Sequence, residues 1–189
     1  MCRGDRGGPV RAFALALLLA LAAVAPASPD SSAANAQSST ANFEGVATCA
    51  GSTCHGRSEG NGAVVRQDEI ATWQAPSSAS GAHSRAYSVL ASRRGRQIAQ
   101  TLGLGAATSA PACLGCHATY VPQSRRGARF HTSDGVGCES CHGAAEGWLQ
   151  VHYEKAASHA SNVRAGLVPL EDPQVRAKIC LDCHYGSTD

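Results

Sequence analysis

Four pairs of cysteines, each followed directly by a histidine, are the feature of this 189-residue sequence that most restricts its fold. The four motifs are Cys49-x4-Cys54-His55, Cys113-x2-Cys116-His117, Cys138-x2-Cys141-His142 and Cys180-x2-Cys183-His184. Chance does not explain a histidine after every pair, because the whole chain contains only 8 histidines. The fold must therefore present two thiols and one imidazole together at four separate places.

The last three motifs have the spacing C-x-x-C-H, which is the attachment signature of c-type haem. In such a motif the two thiols form thioethers with the vinyl groups of the porphyrin, and the adjacent histidine becomes the proximal ligand of the iron. The first motif is wider, and a loop in its spacer would still let both thiols reach the vinyl groups. We therefore predict four covalently attached haem c groups, with all eight motif cysteines as thioether residues and the four motif histidines as proximal ligands.

Two other uses of these cysteines remain open. The spacing of Cys113, Cys116, Cys138 and Cys141 is similar to that of a zinc ribbon. An exported chain could also oxidise its neighbouring thiols to disulfides. Neither alternative requires a histidine after each pair, so haem attachment is the preferred interpretation.

The N-terminal segment has the layout of a secretory signal peptide. Residues 1–27 contain a basic start, an apolar run over residues 12–24 and small residues that suit cleavage after Ala27 or, further on, Ala36. This layout predicts a periplasmic protein. The alternative is an uncleaved membrane anchor, although the apolar run is short for a bilayer span. We interpret residues 28–43 as a flexible leader and residues 44–189 as the haem-binding domain.

The distal iron ligands are expected to be histidines. The only methionine is Met1, which is removed with a signal peptide, so ligation by methionine and the higher potential that it brings are excluded. Four histidines lie outside the motifs and are candidate distal ligands: His83, His131, His152 and His159. The alternative for each of them is an ordinary surface or hydrogen-bonded histidine.

The charge of the chain argues against a nucleic-acid partner. The formal net charge is +2, and removal of residues 1–27 takes away three arginines and one aspartate, which leaves a neutral chain without a basic excess. Haem propionates would make the loaded protein acidic. Charge complementarity would then place a basic patch on a redox partner, and membrane contact is expected only if the signal peptide is not cleaved.

The sequence predicts short helices joined by long connections. Helical patterns cover residues 67–74 and 83–91, continue from a cap at Ser92 to Leu102, and begin again at Asp172-Pro173. No segment shows convincing strand alternation. Because aromatic residues make up only 5% of the chain, the polypeptide alone lacks a conventional core. We therefore predict a mainly α fold with long irregular loops, organised around four covalent haems.

The run over residues 135–143, Gly-Val-Gly-Cys-Glu-Ser-Cys-His-Gly, resembles the third haem site of the tetrahaem cytochrome c-554 family. The resemblance extends from about Gly45 to His184. It implies that His152 is the distal ligand of the first haem, opposite His55, and that His83 is the distal ligand of the third haem, opposite His142. It also implies a multihaem cytochrome c fold in which closely spaced, partly parallel haems pass electrons between redox partners.

The second and fourth sites depart from that family. There the second haem can be five-coordinate, and the fourth takes its distal histidine from further downstream, whereas this chain stops at Asp189. His131 and His159 are thus the remaining candidates for His117 and His184. Either they complete those sites, or the sites are open, or the chain is a C-terminal truncation of a longer product.

Two functional hypotheses follow. The leading one is a periplasmic tetrahaem c-type cytochrome that carries electrons between redox partners, such as quinone-linked or terminal oxidoreductases. The alternative is a multihaem oxidoreductase with one open haem that acts on a small nitrogen or sulfur compound. Its acid–base groups would come from Asp134, Glu139 or Asp182, which we otherwise expect to be solvated carboxylates.

Overall fold

A computed structural model describes residues 40–186 of the chain. The predicted signal peptide and most of the predicted leader lie outside these residues. Within them the protein is mainly helical and contains no strand, only an isolated parallel bridge between Phe43 and Arg126. The predicted mainly α class is confirmed.

Short helices account for the regular structure of residues 40–186. The α-helices are α1 (Val46–Cys49), α2 (Glu69–Gln74), α3 (Gly81–Ser84), α4 (Arg93–Thr101), α5 (Pro111–His117), α6 (Glu139–His142), α7 (Leu149–His152), α8 (His159–Arg164) and α9 (Pro173–His184). Turns of 3-10 helix cover Ser88–Ala91, Gln123–Arg125, Thr132–Asp134 and Ala145–Gly147. None of the helices within residues 40–186 has the length and apolarity needed to cross a bilayer.

Two helices begin at the capping residues that the sequence predicts. Ser92 caps α4, since its hydroxyl accepts a hydrogen bond from the Gly95 N–H at 3.0 Å. Asp172 caps α9 in the same way, with its carboxylate 2.8 Å from the Gln174 N–H. α2 begins two residues later than predicted because Gln67 has a φ of 63°, which an α-helix cannot include.

The pattern over residues 83–91 predicted one helical segment, and the structure divides it. α3 ends at Ser84, and a separate 3-10 turn follows over Ser88–Ala91. The Ala86 carbonyl between them accepts a hydrogen bond from His117 Nδ1 at 2.8 Å. Leu90 N–H bonds instead to the Tyr87 carbonyl, so a tertiary hydrogen bond takes the acceptor that a continuous helix would need.

The packed interior consists mainly of small side chains. One buried cluster joins α4 to α5 and contains Leu90, Ala99, Ala107, Leu114 and Ala118. No large side chain among the described residues is less than 2% exposed. α9 packs against α5, and α7 packs against α8. This sparse core agrees with the expectation that the polypeptide alone buries little apolar surface.

Ordered contacts begin inside the segment that was predicted to be a leader. Ala41 is buried, the Asn42 N–H donates to a carboxylate oxygen of Glu146 at 2.6 Å, and the Phe43 N–H donates to the Arg125 carbonyl at 2.8 Å. The folded domain therefore starts slightly before residue 44.

Candidate functional site

Three of the four motif histidines are the last residue of a helix. α5, α6 and α9 end at His117, His142 and His184, respectively. A helical turn places two cysteines three residues apart on one face with the histidine beside them. The first motif is different, because α1 ends at Cys49 and His55 lies beyond it in a turn.

Two pairs of histidine rings come together from distant parts of the chain. The ring centres of His55 and His152 are 6.0 Å apart with an interplanar angle of 14°. Those of His83 and His184 are 6.2 Å apart at 74°. Two imidazoles that bind one metal ion from opposite sides, each at about 2 Å, have ring centres roughly 6 Å apart. Both pairs therefore fit an iron with two axial histidines.

Three of the candidate iron ligands, His55, His117 and His152, have a hydrogen-bond partner at Nδ1. Nδ1 of His55 donates to a carboxylate oxygen of Glu69 at 2.9 Å, and Nδ1 of His117 donates to the Ala86 carbonyl at 2.8 Å. Metal-bound histidines usually have such a partner, which fixes the tautomer and leaves Nε2 for the metal. Sequence reasoning missed both partners: a backbone carbonyl leaves no sequence signal, and Glu69 lies 14 residues from His55 along the chain, outside the motif.

His152 has an equivalent partner in Asn162. The Asn162 side-chain nitrogen lies 3.2 Å from His152 Nδ1, while the buried Asn162 Oδ1 has no hydrogen-bond partner. Rotation of the amide by 180° would let Oδ1 accept the Nδ1 proton. His152 is also flanked by Trp148, whose ring packs edge-on at 5.4 Å.

The environment favours the neutral imidazole that a metal ligand must be. Burial lowers the pKa of His152, and the nearby His55 lowers it further. The His142 residue is exposed overall, but its ring is crowded by protein, and this desolvation is the main reason that its pKa is lowered; His55 and His152 add to the effect. The first and third motifs are therefore neighbours.

The thiols link the motifs into a series. Contact with Cys138 and burial raise the pKa of Cys49, and the same contact lowers the pKa of Cys138. Burial and then the proximity of Cys180 raise the pKa of Cys141. Burial, followed by the proximity of Cys116, raises the pKa of Cys183. The motifs thus adjoin one another in the spatial order first, third, fourth, second.

The remaining distal candidates are placed differently. His159 is exposed, and its Nε2 lies 2.6 Å from a carboxylate oxygen of Glu171, within hydrogen-bond distance. His131 is exposed and lines a cavity of about 600 Å³ together with Tyr87 and Phe130. The resemblance implied that His83 faces His142, whereas its ring contacts His184. α9 packs against α5, and the His184 ring at its end contacts the His83 ring.

The acidic candidates do not share one environment. Glu139 is 5% exposed, and its carboxylate accepts hydrogen bonds from the N–H groups of Glu44, Gly45 and Ala145 at 2.7–2.9 Å. The expectation of a solvated carboxylate is therefore wrong for Glu139. Burial raises the pKa of Asp134, and Asp182 is exposed at a cavity of about 410 Å³ that also contacts Cys141 and Cys183.

The zinc alternative finds no support in residues 40–186. In that part of the chain no group of three or more His, Cys, Asp or Glu side chains is arranged to hold a metal ion by itself. The eight motif cysteines form no disulfide bonds with one another. The motifs place two thiols and an imidazole close together in sequence, which are the groups that attach and ligate a c-type haem.

Cys-His motifs on short helices, paired imidazoles and an interior of small residues define a c-type cytochrome. The family model for cytochrome c554 and c-prime matches residues 48–143, which include the first three motifs. The chain belongs to this family, and it is accordingly an electron-transfer protein with covalently bound haem c. No curated protein and no solved structure matches the chain.

Proposed function

We propose that this protein is an exported tetrahaem cytochrome that transfers electrons between redox proteins in the periplasm. The observation that carries the proposal is the pair of imidazole contacts at 6.0 and 6.2 Å. An iron closed by two histidines exchanges electrons but has no position for a substrate. The fourth motif lies beyond the matched range 48–143, and it is counted as a haem site because it has the C-x-x-C-H signature. The N-terminal signal pattern supports export.

The ligand sets that the structure supports are His55 with His152 and His184 with His83. Each bound haem would exchange one electron between its ferric and ferrous forms. The polypeptide holds the imidazoles, fixes their Nδ1 protons and surrounds the sites with small side chains. The thiol contacts support a transfer route that runs through the first, third, fourth and second sites in that order.

Electron paramagnetic resonance of the oxidised protein tests the two ligand pairs. Near-parallel axial imidazoles interact with the same iron d orbital and split the orbital levels strongly, whereas near-perpendicular imidazoles leave them nearly equal. We therefore expect one rhombic low-spin signal from the pair at 14° and one low-spin signal with a large maximal g value from the pair at 74°. A spectrum with high-spin haem alone would contradict the proposal.

Substitution of one distal ligand assigns the signals. His152→Ala should remove the rhombic low-spin signal and produce a high-spin signal of matching intensity, while the signal from the other pair remains. Tyr153→Ala is the matched control, because Tyr153 is the next residue and is 65% exposed. An unchanged rhombic signal in the His152 variant would exclude the proposed ligation.

A second function is favoured by one specific observation. Among the described residues, His117 and His142 have no histidine ring packed against them, while His159 is engaged by Glu171. An open iron at either position would support an oxidoreductase that acts on a small nitrogen or sulfur compound.

Carbon monoxide distinguishes the two functions, because it binds ferrous haem only where a coordination position is free. An electron carrier with all its irons closed should bind none, whereas one or two equivalents of carbon monoxide per chain together with turnover of hydroxylamine or nitrite would favour the enzyme.

A further inference from the structure

The first haem motif lacks the helical support that the other three have. His117, His142 and His184 each end a helix: α5 and α9 contain both cysteines of their motif, and α6 contains Cys141 with Cys138 as its N-cap. His55 follows a four-residue spacer that forms a turn, with the Cys54 N–H donating to the Gly51 carbonyl at 2.9 Å. The His55 N–H donates to the Cys49 carbonyl at 3.2 Å, which is the longer of these two hydrogen bonds. The orientation of the His55 ring must therefore be fixed from outside the motif.

The start of α2 supplies that support. The Ile70 N–H donates to the His55 carbonyl at 3.0 Å, and one carboxylate oxygen of Glu69 accepts from His55 Nδ1 at 2.9 Å. The other oxygen accepts from the Arg66 N–H at 2.7 Å. The imidazole thus contacts a carboxylate that is itself held at both oxygens.

The partner of His55 also differs in charge from the partners of His117 and His152. His117 donates to the neutral carbonyl of Ala86, and His152 lies against the neutral amide of Asn162. An anionic acceptor pulls the Nδ1 proton toward itself and makes the imidazole a stronger electron donor through Nε2. Such a ligand stabilises ferric iron more than ferrous iron.

We propose that Glu69 is the positioning residue of the first haem site, and that it lowers the reduction potential of that haem while holding His55 in place of the missing helical turn. The inference rests on the proposed function, because it requires a haem bound through His55. It assigns to Glu69 a role in setting the direction of electron flow, since the first site lies at one end of the series of motifs.

Spectrally resolved redox titration of Glu69→Gln tests the assignment. Glutamine keeps an oxygen that can accept the Nδ1 proton, so four haems and both low-spin signals should be retained. The loss of the negative charge should raise the midpoint potential of one haem only. We expect about a tenfold change in its one-electron reduction constant, which corresponds to about 59 mV. Glu69→Ala should in addition alter the rhombic signal, because the ring loses its support.

Asp68→Asn is the matched control. Asp68 is the neighbouring carboxylate and pairs with Arg66 at 3.0 Å, and its removal should leave all midpoint potentials unchanged. A Glu69→Gln protein with four haems and wild-type potentials would overturn the inference. An equal shift in the Asp68 variant would overturn it too, because the effect would then be one of general charge.

A measurement on the unmodified protein keeps the inference testable if the Glu69 variants do not mature. In the ferrous, diamagnetic protein labelled with 15N-histidine, the Nδ1 proton of His55 should resonate further downfield than that of His117, since its acceptor is anionic. Equal shifts for the two protons would overturn the inference. Absence of haem or of paired low-spin signals from the wild type would instead defeat the proposed function.

Discussion

Glu139 shows how one buried side chain organises the region around the third motif. Its carboxylate is acceptor to three backbone N–H groups from two segments that are distant in sequence. Replacement by glutamine would turn one acceptor into a donor that faces another donor. We expect Glu139→Gln to lower the free energy of unfolding by roughly 2–4 kcal/mol, measured by urea denaturation of the haem-loaded protein.

Glu146→Gln is the control for that experiment. Glu146 is exposed, and its carboxylate accepts one backbone hydrogen bond, from the Asn42 N–H at 2.6 Å. Its loss should cost about 1 kcal/mol or less. Equal effects of the two substitutions would show that the buried network around Glu139 does not stabilise the fold as described.

Glu44 provides a pH-dependent test at the same place. Burial raises the pKa of its carboxyl group, and the nearby Glu146 and Glu139 raise it further. A raised pKa means that the folded protein holds this proton more tightly than the unfolded chain, so stability is lost as the pH rises from the unfolded pKa through the folded one. Glu44→Gln should therefore stabilise the protein at neutral pH and have little effect below the ordinary glutamate pKa of 4.5. Thermal unfolding at both pH values measures this, and a destabilised variant at pH 7 would contradict it.

At the scale of single residues, the sequence predicts the groups whose spacing is required by the attachment chemistry. It misses the groups whose role depends on a tertiary contact. The motif cysteines and histidines follow from C-x-x-C-H, because thioether formation requires adjacent residues. The Ala86 carbonyl and the Asn162 amide could not be found in this way. Each contacts its histidine through the fold, and its residue type is common in any loop or helix.

Among the secondary elements, the connection between α3 and the third motif depends on a glycine. Gly135 has φ 78° and ψ −144°, a region that is essentially restricted to glycine. A Cβ there would lie 2.6 Å from the His83 carbonyl oxygen, which accepts a hydrogen bond from the Val136 N–H at 3.0 Å. Gly135→Ala should cost about 3 kcal/mol and shift the low-spin signal with the large maximal g value, because α3 carries His83.

Gly103→Ala is the control that separates the effect of backbone strain from the effect of the steric clash at Gly135. Gly103 also has a positive φ, of 68°, but a Cβ there meets nothing within 4 Å. We expect a cost of about 1 kcal/mol, measured by denaturation, and an unchanged paramagnetic spectrum. A spectral shift in the Gly103 variant equal to that in the Gly135 variant would contradict the proposed link between Gly135 and His83.

Helix boundaries were predictable where a local signal determines them. The Ser92 cap and the Asp172-Pro173 start are such signals, and both hold. The break within residues 83–91 was not predictable, because its cause is the hydrogen bond between Ala86 and His117, 31 residues away. The contact of His83 with His184 likewise depends on the packing of α9 against α5, which periodicity does not reveal.

For the molecule as a whole, the small core implies that folding and haem attachment are coupled. The buried apolar residues are mostly alanines, and several larger apolar side chains are exposed, such as Val65, Leu102 and Leu181. Burial of alanine contributes less than burial of leucine or phenylalanine. We therefore expect the chain made without haem to show no cooperative thermal transition by circular dichroism, whereas the loaded protein should show one. A cooperative transition in the haem-free chain would contradict this coupling.

The number of covalent haems is the quantity on which the whole account depends. The measurement is the intact mass, under denaturing conditions, of the protein produced with its N-terminal segment in a host that matures c-type cytochromes. The account predicts the mass of the processed polypeptide plus four haem groups. A colourless protein with the mass of the polypeptide alone would contradict it.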